Sequence, residues 1–357
     1  MTGDNNLPLN FSPDDVGVAN GNYFGLPFAV EQAELVLLSA PWDVTVSYNH
    51  GTAAAPEAIV EASTQVELRD VHYLEGWKRG IATMEADPWI ASTGKALRTE
   101  AERVINHLEE GGATSDGEIA EALAAVNAGS QELNERIYRQ AAEVLAGGRL
   151  AALVGGDHST PLGLMRAVDE RMAVRGERFG ILHIDAHADL REAYEGFTYS
   201  HASIMYNALQ LQQLERLVQV GIRDYCGAER ELATESNGRI VQFDDYTLAR
   251  NGFEGMSWRE QCAAVVAQLP QNVYVSFDID GLSPDNCPGT GTPVPGGLSY
   301  REAVYLLVQV VESGRSIVGF DLTEVAPSEG DGEWNANVGA RILYKLCNLT
   351  LLSHKKE

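Results

Sequence analysis

The chain has 357 residues, 45% of them apolar, and a formal charge of −25. Such acidity argues against nucleic acid and anionic membranes as partners, since both need a basic surface, and no run approaches the roughly 18 apolar residues that span a bilayer. The polar start, Met1 to Asn6, lacks the basic-then-apolar pattern of a signal peptide, and four scattered cysteines show no CxxC spacing, so a soluble, cytoplasmic protein without a disulfide scaffold is expected.

In chain order, residues 1–33 read as a loop-like N-terminal extension, followed by one domain over 34–357. A buried strand is expected at 34–40 and a helix over 56–68, with Pro56 in its first turn. Residues 73–98 look irregular, apart from a short strand at 80–84. A long helix over 116–146 stops at Gly147-Gly148. Strands then alternate with helices. Strands at 150–154, 179–185, 216–222, 239–243, 272–279 and 316–322 are followed by helices from about 160, 203, 228, 258, 300 and 337. Apolar strands alternating with amphipathic helices predict an α/β protein with a parallel sheet covered on both faces.

Ligands bind beyond the carboxyl ends of strands in such sheets, and four segments put polar residues there. They are Gly155-Gly156-Asp157-His158, Asp185-Ala186-His187-Ala188-Asp189, Asp278-Ile279-Asp280 and Asp321-Leu322-Thr323-Glu324. Period-two strand geometry aims Asp185, His187 and Asp189 to one side, and likewise Asp278 with Asp280. So many carboxylates in one pocket repel unless cations balance them. Two divalent ions would neutralise Asp185, Asp189, Asp278 and Asp280. They would also make an attacking base from water, since one ion can lower a water pKa to ~7. Carboxylate with imidazole suits manganese, nickel, iron or zinc. A binuclear hydrolase is expected. Cys287, seven residues past Asp280, is the one thiol close to the motif in sequence.

These residues resemble the ureohydrolases, the superfamily of arginase, agmatinase, formimidoylglutamase and guanidine hydrolases. The resemblance covers roughly residues 34–350. Its carriers are the runs at 155–158, 185–189, 276–284, 289–293 and 320–327. It implies a three-layer αβα sandwich and a centre of two Mn2+ or Ni2+. One ion would take His158, Asp185, Asp189 and Asp278, the other Asp185, His187, Asp278 and Asp280. Glu324 matches the acid that grips the guanidinium, and His201 a histidine that shuttles a proton, although His201-Ala202 replaces the family's frequent His-Gly. The resemblance also implies a homo-oligomer, trimer or hexamer, in which residues 1–33 could cover a neighbour's site.

The substrate is expected to be a small cationic guanidino compound. Glu192 and Glu195 would repel the carboxylate of arginine, although Arg191 could hold one. The same two acids could meet the distal amine of agmatine. Free guanidine needs no tail pocket, and a bulky Trp334 at the opening would shorten one, which ranks guanidine narrowly ahead of agmatine. His50, Thr52 and Tyr199 are further pocket candidates. A catalytically silent subunit and a one-zinc deacetylase-type hydrolase are the competing readings.

Overall fold

The computed structural model describes residues 11–328 and 330–355. Its strands are β1 (Leu35–Ala40), β2 (Ile81–Thr83), β3 (Leu150–Gly155), β4 (Phe179–Ile184), β5 (Leu214–Val220), β6 (Ile240–Phe243), β7 (Asn272–Asp278) and β8 (Ser316–Thr323). They form one sheet in the order β2-β1-β3-β8-β7-β4-β5-β6. Every pairing is parallel. Parallel strands need crossover helices, and these cover both faces.

The helices are α1 (Ala55–Ser63), α2 (Pro88–Glu109), α3 (Gly117–Ala146), α4 (Leu162–Arg175), α5 (Ile204–Ala208), α6 (Gly227–Glu235), α7 (Asp245–Phe253), α8 (Trp258–Val266), α9 (Tyr300–Glu312) and α10 (Trp334–Ser353). Two apolar cores result. On one face, Leu35, Leu37, Val275 and Phe277 pack with Ile59 of α1, Val265 of α8, Leu306 of α9 and Leu343 of α10. On the other, Val36, Leu38, Ile181 and Tyr274 pack with Val104 of α2, Ile137 of α3, Val168 of α4 and Met205 of α5. Alternate residues of each strand serve alternate faces, which makes the three-layer αβα sandwich.

Two helices escape the sequence pattern. Where irregular chain was expected, α2 runs from an Asp87 cap, whose side chain accepts from the Trp89 N–H, through Pro88 at its first position. Its inner stripe is diluted by small residues; Gly94 lies so close to the Trp42 ring that a Cβ would sit 3.0 Å from it. Helix α7 is likewise started by Asp244, capping the Thr247 N–H.

The described part of the N-terminal segment lies on its own chain. Tyr23, Phe24, Leu26 and Phe28 are buried in the first core, and Asp14 pairs with Arg69 at 2.8 Å. Residues 1–10, which belong to the expected extension, lie outside the described residues.

Candidate metal centre

Strand order puts β8, β7 and β4 side by side, with β3 next to β8. The segments leaving their carboxyl ends therefore meet. The convergence is not the strand alternation expected from sequence. Strand β4 stops at Ile184, and β7 at Asp278. Beyond them, local turns aim the side chains. Asp189 adopts a left-handed backbone, φ +53°. Asp278 caps a short turn by accepting the Asp280 N–H at 2.8 Å. Asp280 in turn accepts the Ala186 N–H at 3.0 Å, tying the two runs together.

All six expected ligands come together. His158 Nδ1 lies 3.0 Å from Asp185 Oδ2, 3.1 Å from Asp189 Oδ2 and 3.1 Å from Asp278 Oδ2. His187 Nδ1 lies 3.0 Å from Asp280 Oδ2 and 3.5 Å from Asp185 Oδ1. Asp185 thus faces both halves of the cage. Two donor groups of metal-holding size share it, one with His158, His183 and Asp189, the other with His187 and Asp280.

The donor chemistry fits cations. His158 Nε2 is 2.9 Å from Ser276 Oγ, whose hydroxyl donates to Asp321 at 3.0 Å. Ser276 has one proton, so His158 Nε2 must be the donor to it. In the neutral imidazole Nδ1 is then a bare lone pair facing three carboxylates. Both His158 Nδ1 and Asp280 Oδ2 are buried without a hydrogen-bond partner. Acceptors crowded on acceptors at 3 Å require a positive charge between them.

The electrostatics of the crowded donors point the same way. Burial opposes charge on His158, yet the closeness of Asp185, Asp189 and Asp278 raises it well above the ordinary imidazole value. Burial, then the charges of Asp280 and Asp185, push Asp278 well up. Burial and the charge of Asp185 bring Asp189 up to about 7. Burial works to raise Asp185 too, but His183, His158 and His187 together hold it well below the carboxylate range. Without cations the cage draws protons instead.

Glu324 lines the same space on a strained backbone, φ +64°. Its Oε1 accepts the His158 N–H at 2.8 Å. Its N–H donates to Gly156 O at 2.8 Å. Gly291 makes room for it, since a Cβ there would sit 2.7 Å from Glu324 Oε2. Burial and the charge of Asp157 raise its pKa well above normal.

His201 stands on the wall of the site. Its Nδ1 is 3.3 Å from Thr45 Oγ1 and from Ser200 Oγ, and its ring meets Tyr194 edge-on. Burial, then the charges of His187 and His158, push it down to about 3. It is neutral at neutral pH, so it can relay a proton but does not store one. Thr45 was not singled out from the sequence, and only the fold brings it to His201.

The remaining pocket candidates divide. Glu195 is half-buried, at φ +55°, with Oε2 buried and unpartnered. Glu192 is exposed. Arg191 is not free for a substrate carboxylate; it stacks on Tyr194 at 4.7 Å and lies 3.8 Å from Glu229. Trp334 is 53% exposed, its indole N–H donated to Asn286 O at 2.8 Å. It sits at the surface. Thr52 is buried with Oγ1 unpartnered. His50 is exposed and 2.8 Å from Arg98 Nη2, and Tyr199 is partly buried. Cys287 is a buried thiol pushed up to about 12, chiefly by desolvation, and bonded towards Asn335. It is no ligand.

His183 was missed. It precedes Asp185 by two on β4, and its Nε2 lies 2.7 Å from Asp185 Oδ2. The signal in the sequence was a histidine in an otherwise apolar strand, same face as the aspartate.

Fold and cage together define a class, a three-layer αβα protein with a candidate metal centre at the carboxyl ends of a parallel sheet. The chain belongs to the arginase family, whose model matches residues 33–348. Members of this family are binuclear metal enzymes that act on small guanidino substrates. An N(1)-aminopropylagmatine ureohydrolase of Thermus thermophilus is 32% identical over 89% of this chain and 91% of its own. An agmatinase of Halalkalibacterium halodurans is 28% identical over 85% of this chain and 87% of its own. Among solved structures, an agmatine ureohydrolase of Thermoplasma volcanium superposes with a TM-score of 0.67 at 22% identity, covering 92% of this chain and 94% of the other. The protein is therefore a hydrolase of C–N bonds in linear amidines. No helix among the described residues is long and apolar enough to cross a membrane.

Proposed function

We propose that this ureohydrolase acts on a guanidino compound with a distal amine, of the agmatine type, releasing urea and a diamine. One observation carries the reading. The only acid of the 191–200 loop that is partly buried, Glu195, keeps a buried oxygen without a partner, while the loop's arginine is taken up by Glu229 and Tyr194. Glu195 is thus a candidate receptor for a cationic tail, whereas Arg191, already beside Glu229 and Tyr194, is a weaker candidate for an anionic one. The two sequence relatives, an N(1)-aminopropylagmatine ureohydrolase and an agmatinase, are both named for amine-tailed guanidines, which supports the same choice. Guanidine, ranked first on sequence, needs no tail receptor and is the competing substrate.

In this reading His158, Asp185, Asp189 and Asp278 hold one divalent ion, and Asp185, His187, Asp278 and Asp280 the other. Oxygen and imidazole donors without thiolate suit Mn2+ or Ni2+. When bound, such ions supply the Lewis acidity that makes water a nucleophile near neutral pH. Glu324 holds the guanidinium through paired N–H donors, a geometry that suits a carboxylate. Burial makes its charge costly until a cation arrives, so it favours the cationic substrate over neutral urea. Hydrolysis puts water oxygen on the guanidinium carbon and a proton on the leaving amine. Neutral His201, held by Thr45 and Ser200, is placed to pass that proton on.

Urea release by Mn2+- or Ni2+-loaded protein over agmatine, N(1)-aminopropylagmatine, guanidinobutyrate, arginine and guanidine tests the proposal. The highest kcat/KM should fall on an amine-tailed substrate; a preference for guanidine or guanidinobutyrate would reject it. Family members are typically oligomeric, and a trimer or hexamer, measured by light scattering, belongs to the same reading.

A further inference from the structure

One level of the sheet, just below the cage, is polar on the face shared with α4 and α5. Gln242 of β6 is in register with Gln219 of β5, Gln219 with His183 of β4, His183 with Ser276 of β7, and Ser276 with Asp321 of β8. Beyond Asp321 the row reaches Leu153 of β3 and turns apolar. His183, Gln219, Ser276 and Asp321 are fully buried. A polar row through the middle of a sheet costs stability unless every member is paired, and this one is paired in one direction.

Exposed Arg230 of α6 begins it, its Nη1 donating to Gln242 Oε1 at 3.0 Å. Gln242 Nε2 therefore points inward and donates to Gln219 Oε1 at 2.9 Å. Gln219 Nε2 donates to Ala188 O at 2.7 Å and to His183 Nδ1 at 2.9 Å. A flipped Gln219 amide would set its oxygen against the Ala188 carbonyl and its nitrogen against the Gln242 donor. Arg230 cannot accept, so the whole chain has one polarity. His183 Nδ1 must accept, and its proton must sit on Nε2, donated to Asp185 Oδ2 at 2.7 Å. From the other end, Asp321 and Ser276 fix the His158 proton on Nε2 in the same way.

We propose that this cross-sheet row fixes both histidines in the same tautomer, protonated on Nε2, for opposite roles. His158 presents a bare Nδ1 as a ligand, while His183, although close enough to be one, is a positioning residue that holds the Asp185 carboxylate. The inference rests on the cage being a metal centre and says which of its histidines the metals use. A histidine or amide partner of this kind is worth roughly 10–100-fold in metal affinity.

Neutron diffraction from deuterated, Mn2+-loaded wild-type protein reads the tautomers directly. Deuterons are expected on Nε2 of both His183 and His158; a deuteron on His183 Nδ1, or Mn2+ on His183, would overturn the proposal. Chelator competition on refilled, metal-stripped protein adds an energetic readout. His183→Leu should still take two Mn2+ per chain, with affinity lower by roughly 10–100-fold. His183→Gln, whose amide can replace the donor, should recover most of it. Loss of one Mn2+ in both variants would make His183 a ligand, and wild-type affinity in His183→Leu would remove its positioning role. Should His183→Leu fail to fold, the deuteron positions decide alone. Fewer than two Mn2+ on the wild-type chain would sink the metal reading instead, and the deuterons would still report the tautomers.

Discussion

Gly291→Ala tests how Glu324 is held without touching a ligand of the cage. The new Cβ would lie 2.7 Å from Glu324 Oε2 and 3.7 Å from Val46 Cγ1. Ordinary contact needs about 3.4 Å, so the carboxylate must retreat by about 0.7 Å. It cannot do so freely, because Oε1 is tied to the His158 N–H at 2.8 Å. A shift of that size stretches the bond beyond useful range, and a hydrogen bond to a charged group is worth about 1.5–3 kcal/mol. If that loss is felt in the transition state, kcat/KM falls about 10–100-fold, since each ~1.4 kcal/mol is a factor of ten. Backbone strain does not enter, because Gly291 is not among the positive-φ glycines. The assay pairs steady-state urea release with elemental analysis. The expected variant keeps its metal and loses kcat/KM, as Glu324→Gln should do more severely. Wild-type kcat/KM in Gly291→Ala would refute the idea that this glycine exists to seat the carboxylate.

Other expectations follow from the same geometry. Asp278→Asn should abolish turnover and leave at most one Mn2+ per chain, because Asp278 faces His158 and orders Asp280 through its N–H; two ions with full activity would contradict the cage assignment. Glu195→Gln should raise KM for agmatine by up to about fivefold, the scale of a lost partly exposed charge pair at ~1 kcal/mol, and leave guanidine unaffected; equal effects on both substrates would exclude a tail contact. His201 is neutral in the fold, with its pKa pushed down from 6.5 to about 3. Unfolding therefore takes up a proton below the ordinary value, and metal-free stability should drop as pH falls from 6.5 towards 3. In His201→Asn the slope over that window should be shallower by up to about 1.4 kcal/mol per pH unit. Parallel slopes in urea melts of the two proteins would show that this imidazole is not the buried group titrating.

Much of the molecule was legible before any coordinates. Strand and helix alternation from Leu150 onward predicts the parallel sheet, because buried parallel strands must be apolar on both faces and need helical crossovers. The six donors were legible as well, since charge so dense at strand ends has few explanations other than cations, and Glu324 was singled out through the family resemblance. Helix α2 was not, because its buried stripe relies on Gly94 fitting Trp42 and on Asp87 as a cap. These are relations between distant residues that no local periodicity carries.

What the sequence determined by itself was the chemistry available: which side chains could hold cations, grip a guanidinium or relay a proton. Only the tertiary structure decided which of them meet. It turned Asp189 inward through a left-handed backbone, took Arg191 out of the pocket with Glu229, left Trp334 at the surface, and enrolled His183, Gln219 and Thr45, whose neighbours come from other strands and loops. The physical reason is that residue type fixes donor and acceptor capacity, whereas direction, burial and partner depend on register across the sheet, which is settled only when all eight strands are in place.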